Sequence, residues 1–184
     1  MRIGLCGASG AGKSTLAAAY AERLGGFFIR SVANTVFDFY GYRQDSVISP
    51  NERLFLQKKI LDRQVKEYVE YEGWLQRGII ADRTPMDMAT YLMEESNARI
   101  RRTAAKSYGR IAASVTRRYF DRVVFVPMCI PYEESAKRPP HNPDKIRAYE
   151  ERLLKLLGDL KVPFDAMPIM TDLKDRLDWL CDLP

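Results

Sequence analysis

Gly7-Ala8-Ser9-Gly10-Ala11-Gly12-Lys13-Ser14, followed by Thr15, fits the pattern G-x-x-x-x-G-K-[ST] and leaves few folds open to this chain. A short apolar run, Arg2 to Cys6, leads into it, and an alanine-rich helical stretch, Lys13 to Leu24, leads out to Gly25-Gly26. A strand, a glycine-rich loop and a helix in that order make a phosphate cradle. Glycines let successive backbone N–H groups turn inward without a side-chain clash. The start of the helix points its positive dipole end at the same anion. In such a cradle Gly7, Ala8, Ser9, Gly10, Ala11, Gly12, Lys13, Ser14 and Thr15 hold a nucleotide's phosphates. Lys13 reaches the β- and γ-phosphates, and the Ser14 hydroxyl ligates Mg²⁺. The competing reading is an ordinary glycine-rich strand-to-helix turn.

The rest of the chain alternates short apolar runs with long amphipathic ones, the pattern of an α/β protein with a mainly parallel sheet. Strands are expected at Phe27–Ile29, Ile79–Ala81, Arg122–Val126 and, more weakly, Phe164–Ile169. Helices are expected at Pro50–Arg77, Thr84–Glu95, Ala98–Tyr119, Pro143–Leu157 and Thr171–Leu180. Ser49 with Glu52 three residues on signs the first of these as an N-cap, and Gly78 closes it. With no repeat, low-complexity tract or linker, residues 1–184 read as a single domain.

Composition excludes several other classes. Hydrophobic residues at 46% and charged residues at 29% are globular values, not those of a disordered or collagen-like chain. The three cysteines, Cys6, Cys129 and Cys181, are far apart and form no C-x-x-C pair. They read as reduced thiols of an intracellular protein. No apolar run is long enough for a signal peptide or a membrane span, so a cytoplasmic protein is expected. A GTPase switch needs an N/T-K-x-D motif, which is missing, and Asp38-Phe39-Tyr40-Gly41 is a weak match to a switch D-x-x-G. A motor-type ATPase needs an Asp-Glu strand end and a helical lid domain, for which the chain is too short. Small phosphotransferases remain.

Ile79-Ile80-Ala81-Asp82-Arg83-Thr84-Pro85 puts a carboxylate and a guanidinium at the C-terminal end of a buried strand, the edge where open α/β sheets bind ligands. Asp82 can orient an acceptor hydroxyl or take its proton, and can hold Mg²⁺. Arg83 can clamp a phosphate. The competing reading makes Asp82 the cap of the following helix.

The phosphate loop together with Asp82-Arg83-Thr84 resembles the P-loop nucleoside and nucleotide kinases. More narrowly, Asp82-Arg83-Thr84-Pro85-Met86-Asp87-Met88-Ala89-Thr90-Tyr91-Leu92 resembles the group related to the ribosylnicotinamide kinase domain of the bacterial NAD regulator, which includes many phage-encoded kinases. The resemblance implies a three-layer fold with a five-stranded parallel sheet in the order 2-3-1-4-5, flanked by helices. It implies ATP with Mg²⁺ as donor, acting in the host cytoplasm if the chain is phage-encoded. It also places lid arginines at Arg138 and Arg147, in or beside a proline-rich loop that otherwise reads as a solvated basic segment before a helix capped by Asn142. His141, the single histidine, reads as a surface loop residue.

In kinases of this architecture the segment from Ser31 to Arg43 lines the acceptor pocket. Asn34, Asp38, Tyr42 and Arg43 are its hydrogen-bonding candidates, and Phe37, Phe39 and Tyr40 can stack on a base. A partly buried amphipathic helix is the alternative. The charge balance adds a further clue. Of 29 basic and 24 acidic residues, the stretch from Asn97 to Arg122 holds eight basic residues and one acid, Asp121. Arg99, Arg102, Lys106, Arg110 and Arg117 fall near one helical face, with Ile100, Ala104, Ile111 and Val115 as core candidates. Such a stripe is the footprint of a polyanion, or simply a basic helix. Three acceptor readings stay open. One is 5-hydroxymethyluracil in DNA, which some phage members of the group phosphorylate and which the stripe favours. Another is a free nucleoside or nucleoside monophosphate. The third is a regulator that senses ATP without transfer, which would have no use for Asp82.

Overall fold

The computed structural model describes residues 1–42, 48–71, 78–94, 99–133 and 141–184, and of residues 94 and 99–101 the backbone only. Five parallel strands form its centre: β1 (Arg2–Cys6), β2 (Phe27–Ile29), β3 (Ile79–Asp82), β4 (Arg122–Phe125) and β5 (Asp165–Ala166), in the order β2-β3-β1-β4-β5. This is the expected order. The helices are α1 (Lys13–Leu24), α2 (Ala33–Phe39), α3 (Pro50–Glu70), α4 (Pro85–Glu94), α5 (Arg99–Tyr119), α6 (Pro143–Asp159) and α7 (Leu173–Cys181).

Alternation along the strands divides the core between the two faces of the sheet. Ile79, Ala81, Val123 and Phe125 point to the side covered by α3, α4, α5 and α6, where Leu56, Ile60, Met86, Ala112 and Leu153 are buried. Ile3, Leu5, Ile80, Val124 and Val126 point to the other side, against Leu16, Ala17, Tyr20 and Leu180 of α1 and α7. A sheet buried on both faces explains why its strands read as continuous apolar runs.

Helix ends follow the local chemistry. Gly25 adopts φ 63° and Gly26 N–H donates to Ala21 carbonyl at 2.8 Å, a Schellman stop for α1. Ser49 and Glu52 close a capping box around the start of α3. Glu52 also accepts from the Tyr42 hydroxyl at 2.9 Å, which engages one of the acceptor candidates. α3 ends at Glu70; the further expected turns, residues 72–77, lie outside the described residues. β5 is two residues long where Phe164–Ile169 was expected, because Pro163 and Pro168 flank it and neither has an N–H for the ladder. Residues 33–39 form the amphipathic helix weighed above, with Val36 buried and Phe39 80% exposed. Asp38 therefore belongs to a helix rather than a switch loop.

α5 corrects one expectation. Its core face is Ala105, Tyr108, Ala112, Ala113, Thr116 and Tyr119, while Ile111 is 54% exposed and Ala104 and Val115 are half-buried. The side chain of Ile100 lies outside the description. Small residues decide the face: α5 packs on α4, and at Gly109 an added Cβ would come 2.9 Å from Met93 Cε. Close approach outweighs the burial of one isoleucine.

Candidate active site

The register places the site. β1 lies between β3 and β4, with Leu5 opposite Asp82 and Cys6 opposite Phe125. The chain leaves β1 at the point where the connections run off to opposite sides, the switch point at which open α/β sheets bind ligands. The loop from Gly7 to Gly12 fills that crevice.

Gly7, Gly10 and Gly12 all have positive φ, at 142°, 90° and 78°. A Cβ on Gly7 would fall on the Val126 carbonyl oxygen, and one on Gly10 would stand 2.7 Å from the Tyr132 ring. Neither position accepts a side chain, so the loop follows a backbone path that only glycine allows. Gly12 is also the N-cap of α1 and makes no side-chain cap, which leaves the first amides of the helix without a side-chain partner from that residue.

Lys13 is 4% exposed and lies back across the loop, donating to the carbonyls of Gly7 at 2.8 Å and Ala8 at 2.6 Å. Its ammonium titrates at about 8. Burial is the largest cause, and the neighbouring Arg83 charge adds to it, while Asp82, Asp87 and Cys6 pull the other way. The Ser14 hydroxyl donates to Asp82 Oδ2 across 68 residues of sequence. Asp82 is 7% exposed at the end of β3. Two hard oxygen donors thus stand side by side next to the cradle. This donor set fits Mg²⁺, which takes one or two protein oxygens and completes its shell with phosphate and water. Among the described residues there is no group of three or more His, Cys, Asp or Glu side chains that would hold a metal independently.

The turn after β3 is held in an unusual conformation. Arg83 has φ 80°, and its Nη1 lies 3.3 Å from the Tyr91 hydroxyl and 3.8 Å from Asp87 Oδ1. Asp82 does not cap α4. Asp87 does, accepting from the N–H of Thr84 at 2.9 Å and its hydroxyl at 3.1 Å. Asp87 also accepts from Gly7 N–H and from the Tyr149 hydroxyl, both at 3.0 Å. Sequence reasoning passed over Asp87: an acid three residues after Thr84 signals a helix cap, and nothing local signals the bond to Gly7. It passed over Arg176 too. This residue of α7 is 2% exposed and donates to the Ala11 carbonyl at 2.7 Å, gripping the loop from below. Glu150 of α6 accepts from Met128 N–H at 2.7 Å and so ties down the exit of β4.

The other candidates are more dispersed. Asn34 and Asp38 are exposed on α2, and Arg43 lies outside the described residues. Arg147 is exposed near the start of α6, and Arg138 lies outside the described residues. His141 stacks on Tyr132 with ring centroids 4.9 Å apart. On α5, Arg102, Lys106, Arg110 and Arg117 are exposed, and the side chain of Arg99 is not described. Arg117 donates to the Leu160 carbonyl at 2.8 Å, so it serves the C-terminal end of α6. The three cysteines are unpaired thiols, and no described helix is long and apolar enough to cross a membrane.

Comparison with known proteins agrees with this geometry. Residues 2–176 match the family described as AAA domain. No curated protein matches the sequence. Among solved structures, the NadR protein in complex with NAD and AMP-PNP superposes with a TM-score of 0.64 at 13% identity, over 97% of this chain and 48% of that one. The chain therefore spans about half the length of that relative. Deoxyadenosine kinase from M. mycoides with bound dATP gives 0.60 at 21% identity, over 99% and 97% of the two chains. Thymidylate kinase from Candida albicans gives 0.60 at 14% identity, over 98% and 89%. The shared feature is the fold, that of the P-loop kinases.

Proposed function

The chain belongs to the AAA domain family, and on that footing we propose that it is an ATP-dependent phosphotransferase acting on a hydroxyl of a nucleoside-like acceptor. The observation that carries this reading is the meeting of Ser14 and Asp82 at the mouth of a glycine cradle crossed by Lys13. A binding module needs the cradle and the lysine. It has no use for a buried carboxylate and an arginine at the end of the neighbouring strand.

The roles follow from position. The Lys13 ammonium exchanges the Gly7 and Ala8 carbonyls for phosphate oxygens, which are stronger acceptors. Ser14 and Asp82 would hold Mg²⁺, which neutralises charge on the phosphates when bound. Asp82, at the strand end, orients the acceptor hydroxyl and receives its proton as the new P–O bond forms and the bond from the γ-phosphorus to the bridging oxygen breaks, ADP leaving with that oxygen. Arg83 lies beside it to hold an anionic group of the acceptor or of the transferred phosphoryl. Gly10 and Gly12 present amides to the same charge. Arg147 and Arg138 are the lid arginines in this reading, and Asn34, Asp38, Tyr42 and Arg43 line the acceptor side.

A second reading narrows the acceptor to a hydroxymethyl group on a base in DNA. What favours it is the exposed run of Arg102, Lys106 and Arg110 on one helix, more positive charge than a mononucleotide calls for. One experiment tests both. The protein is given γ-labelled ATP and Mg²⁺ with nucleosides, nucleoside monophosphates, plain DNA and DNA containing 5-hydroxymethyluracil in turn. Label in small acceptors supports the broader reading and removes the DNA one. Label confined to the modified DNA supports the narrower. ATP binding with no label in any acceptor means a sensor, and the phosphotransferase reading falls.

A further inference from the structure

The chemistry proposed above leaves one buried carboxylate without a task. Asp87 is 0% exposed and stands at the third position of α4, where an acid closes a capping box by taking the N–H of the cap residue. It does so here through Oδ2, which accepts from the N–H and the hydroxyl of Thr84. A cap needs one oxygen. The other, Oδ1, receives the N–H of Gly7, which lies 80 residues earlier in the chain, and the hydroxyl of Tyr149 from α6, 62 residues later. Arg83 Nη1 stands 3.8 Å from the same oxygen. The first peptide of the phosphate loop, the turn after β3 and the helix α6 thus meet on one side chain.

We propose that Asp87 is a positioning residue for nucleotide binding: it locks the Gly7 peptide to the Asp82-Arg83-Thr84 turn and to α6, so that the loop and the strand end keep one geometry. This rests on the reading of the loop as an ATP site. Gly7 is the hinge that needs such a lock, because at φ 142° and without a Cβ its peptide can rotate as those of other residues cannot. A buried carboxylate is costly unless donors surround it, and here they come from three separate elements.

Asp87→Asn keeps the shape and removes the charge. It also turns one oxygen into an N–H₂ donor that cannot accept from its former partners. Binding of ATP with Mg²⁺ is measured by calorimetry, and exchange of the Gly7 amide by NMR, for the wild type, Asp87→Asn and Tyr149→Phe. Asp87→Asn is expected to weaken binding by about tenfold or more at neutral pH, the scale of a lost charge-assisted hydrogen bond. The Gly7 amide of this variant is also expected to exchange faster than that of the wild type, because it loses its carboxylate acceptor. Tyr149→Phe, which keeps the carboxylate, weakens binding a few-fold and leaves the Gly7 amide protected. A cap that merely stabilised α4 would lower the melting temperature and leave the exchange of Gly7 unchanged. Asp87→Asn that folds and binds within twofold of wild type overturns the proposal. The wild-type chain decides independently of any variant's folding: the Gly7 amide is expected to be protected from hydrogen exchange without ligand, and exchange as fast as an exposed loop amide also overturns it. A wild type that fails to bind ATP, with Gly7 protected, removes the underlying reading and with it the role assigned to Asp87.

Discussion

Replacing Lys13 by methionine separates what the lysine costs the fold from what it gives the site. Methionine has nearly the same length and no charge. In the ligand-free protein the Lys13 ammonium is buried, and burial together with Arg83 lowers its titration from 10.5 to about 8. Below pH 8 the folded and unfolded chains both carry the proton, so the full cost of burying the charge is present. Between about 8 and 10.5 the folded chain gives up the proton first while the unfolded chain keeps it, and stability contributed by this residue rises with pH. At about 1.4 kcal/mol for each unit of displacement, the full span is about 3 kcal/mol. Between pH 7 and pH 9 about 1 kcal/mol of it appears, which for a chain of this size moves the melting temperature by about 2–4 °C. Other lysines and tyrosines titrate in the same range, so the quantity to measure is the difference between wild type and Lys13→Met. In thermal melts without nucleotide, wild type is expected to gain on the variant by that amount from pH 7 to pH 9. With ATP and Mg²⁺ present the phosphates hold the proton on Lys13, and the gain disappears. A difference that stays flat with pH in the absence of ligand would falsify the buried, charge-strained lysine on which the loop's chemistry is built.

Asp82→Asn keeps the hydrogen bond to Ser14 but loses the base and a metal oxygen, and steady-state transfer is expected to fall by about 10²–10⁴-fold; turnover near wild type would remove Asp82 from catalysis. Gly7→Ala sets a methyl group against the Val126 carbonyl at a φ that alanine rarely adopts. It should abolish ATP binding in calorimetry and lower the melting temperature, and a variant that binds as wild type would contradict the tight loop. Arg102→Glu with Arg110→Glu places two acids on the exposed face of α5. If that face holds a polynucleotide, binding weakens and the slope of log K against log salt becomes shallower by about 2. An unchanged slope returns α5 to an ordinary basic helix.

Much of the molecule was open to reading from residues close together in sequence. The phosphate loop is written in eight consecutive positions, and glycine, lysine and serine at those positions can be read without any partner. The same holds for the Schellman stop at Gly25-Gly26 and for the capping box of Ser49 and Glu52, because their partners lie within five residues. Apolar alternation placed the strands of the sheet, and it was least accurate where prolines shorten β5. The face of α5 was misjudged because hydrophobicity favours Ile111, whereas the close approach of α4 favours alanine and glycine, and the identity of a neighbour is not written in a helix's own sequence.

The sequence by itself determined that the chain carries a phosphate cradle on a parallel α/β sheet, and that Asp82 and Arg83 follow a strand. Only the tertiary structure decided that Asp82 meets Ser14 rather than capping α4, that Asp87 takes the cap and also holds Gly7, and that Arg176 supports the loop from the far end of the chain. The physical reason is range. Backbone propensities and caps act over a few residues, whereas these contacts span 68, 80 and 165 residues: the first two exist because parallel pairing brings the ends of β1 and β3 together, the third because α7 packs on α1.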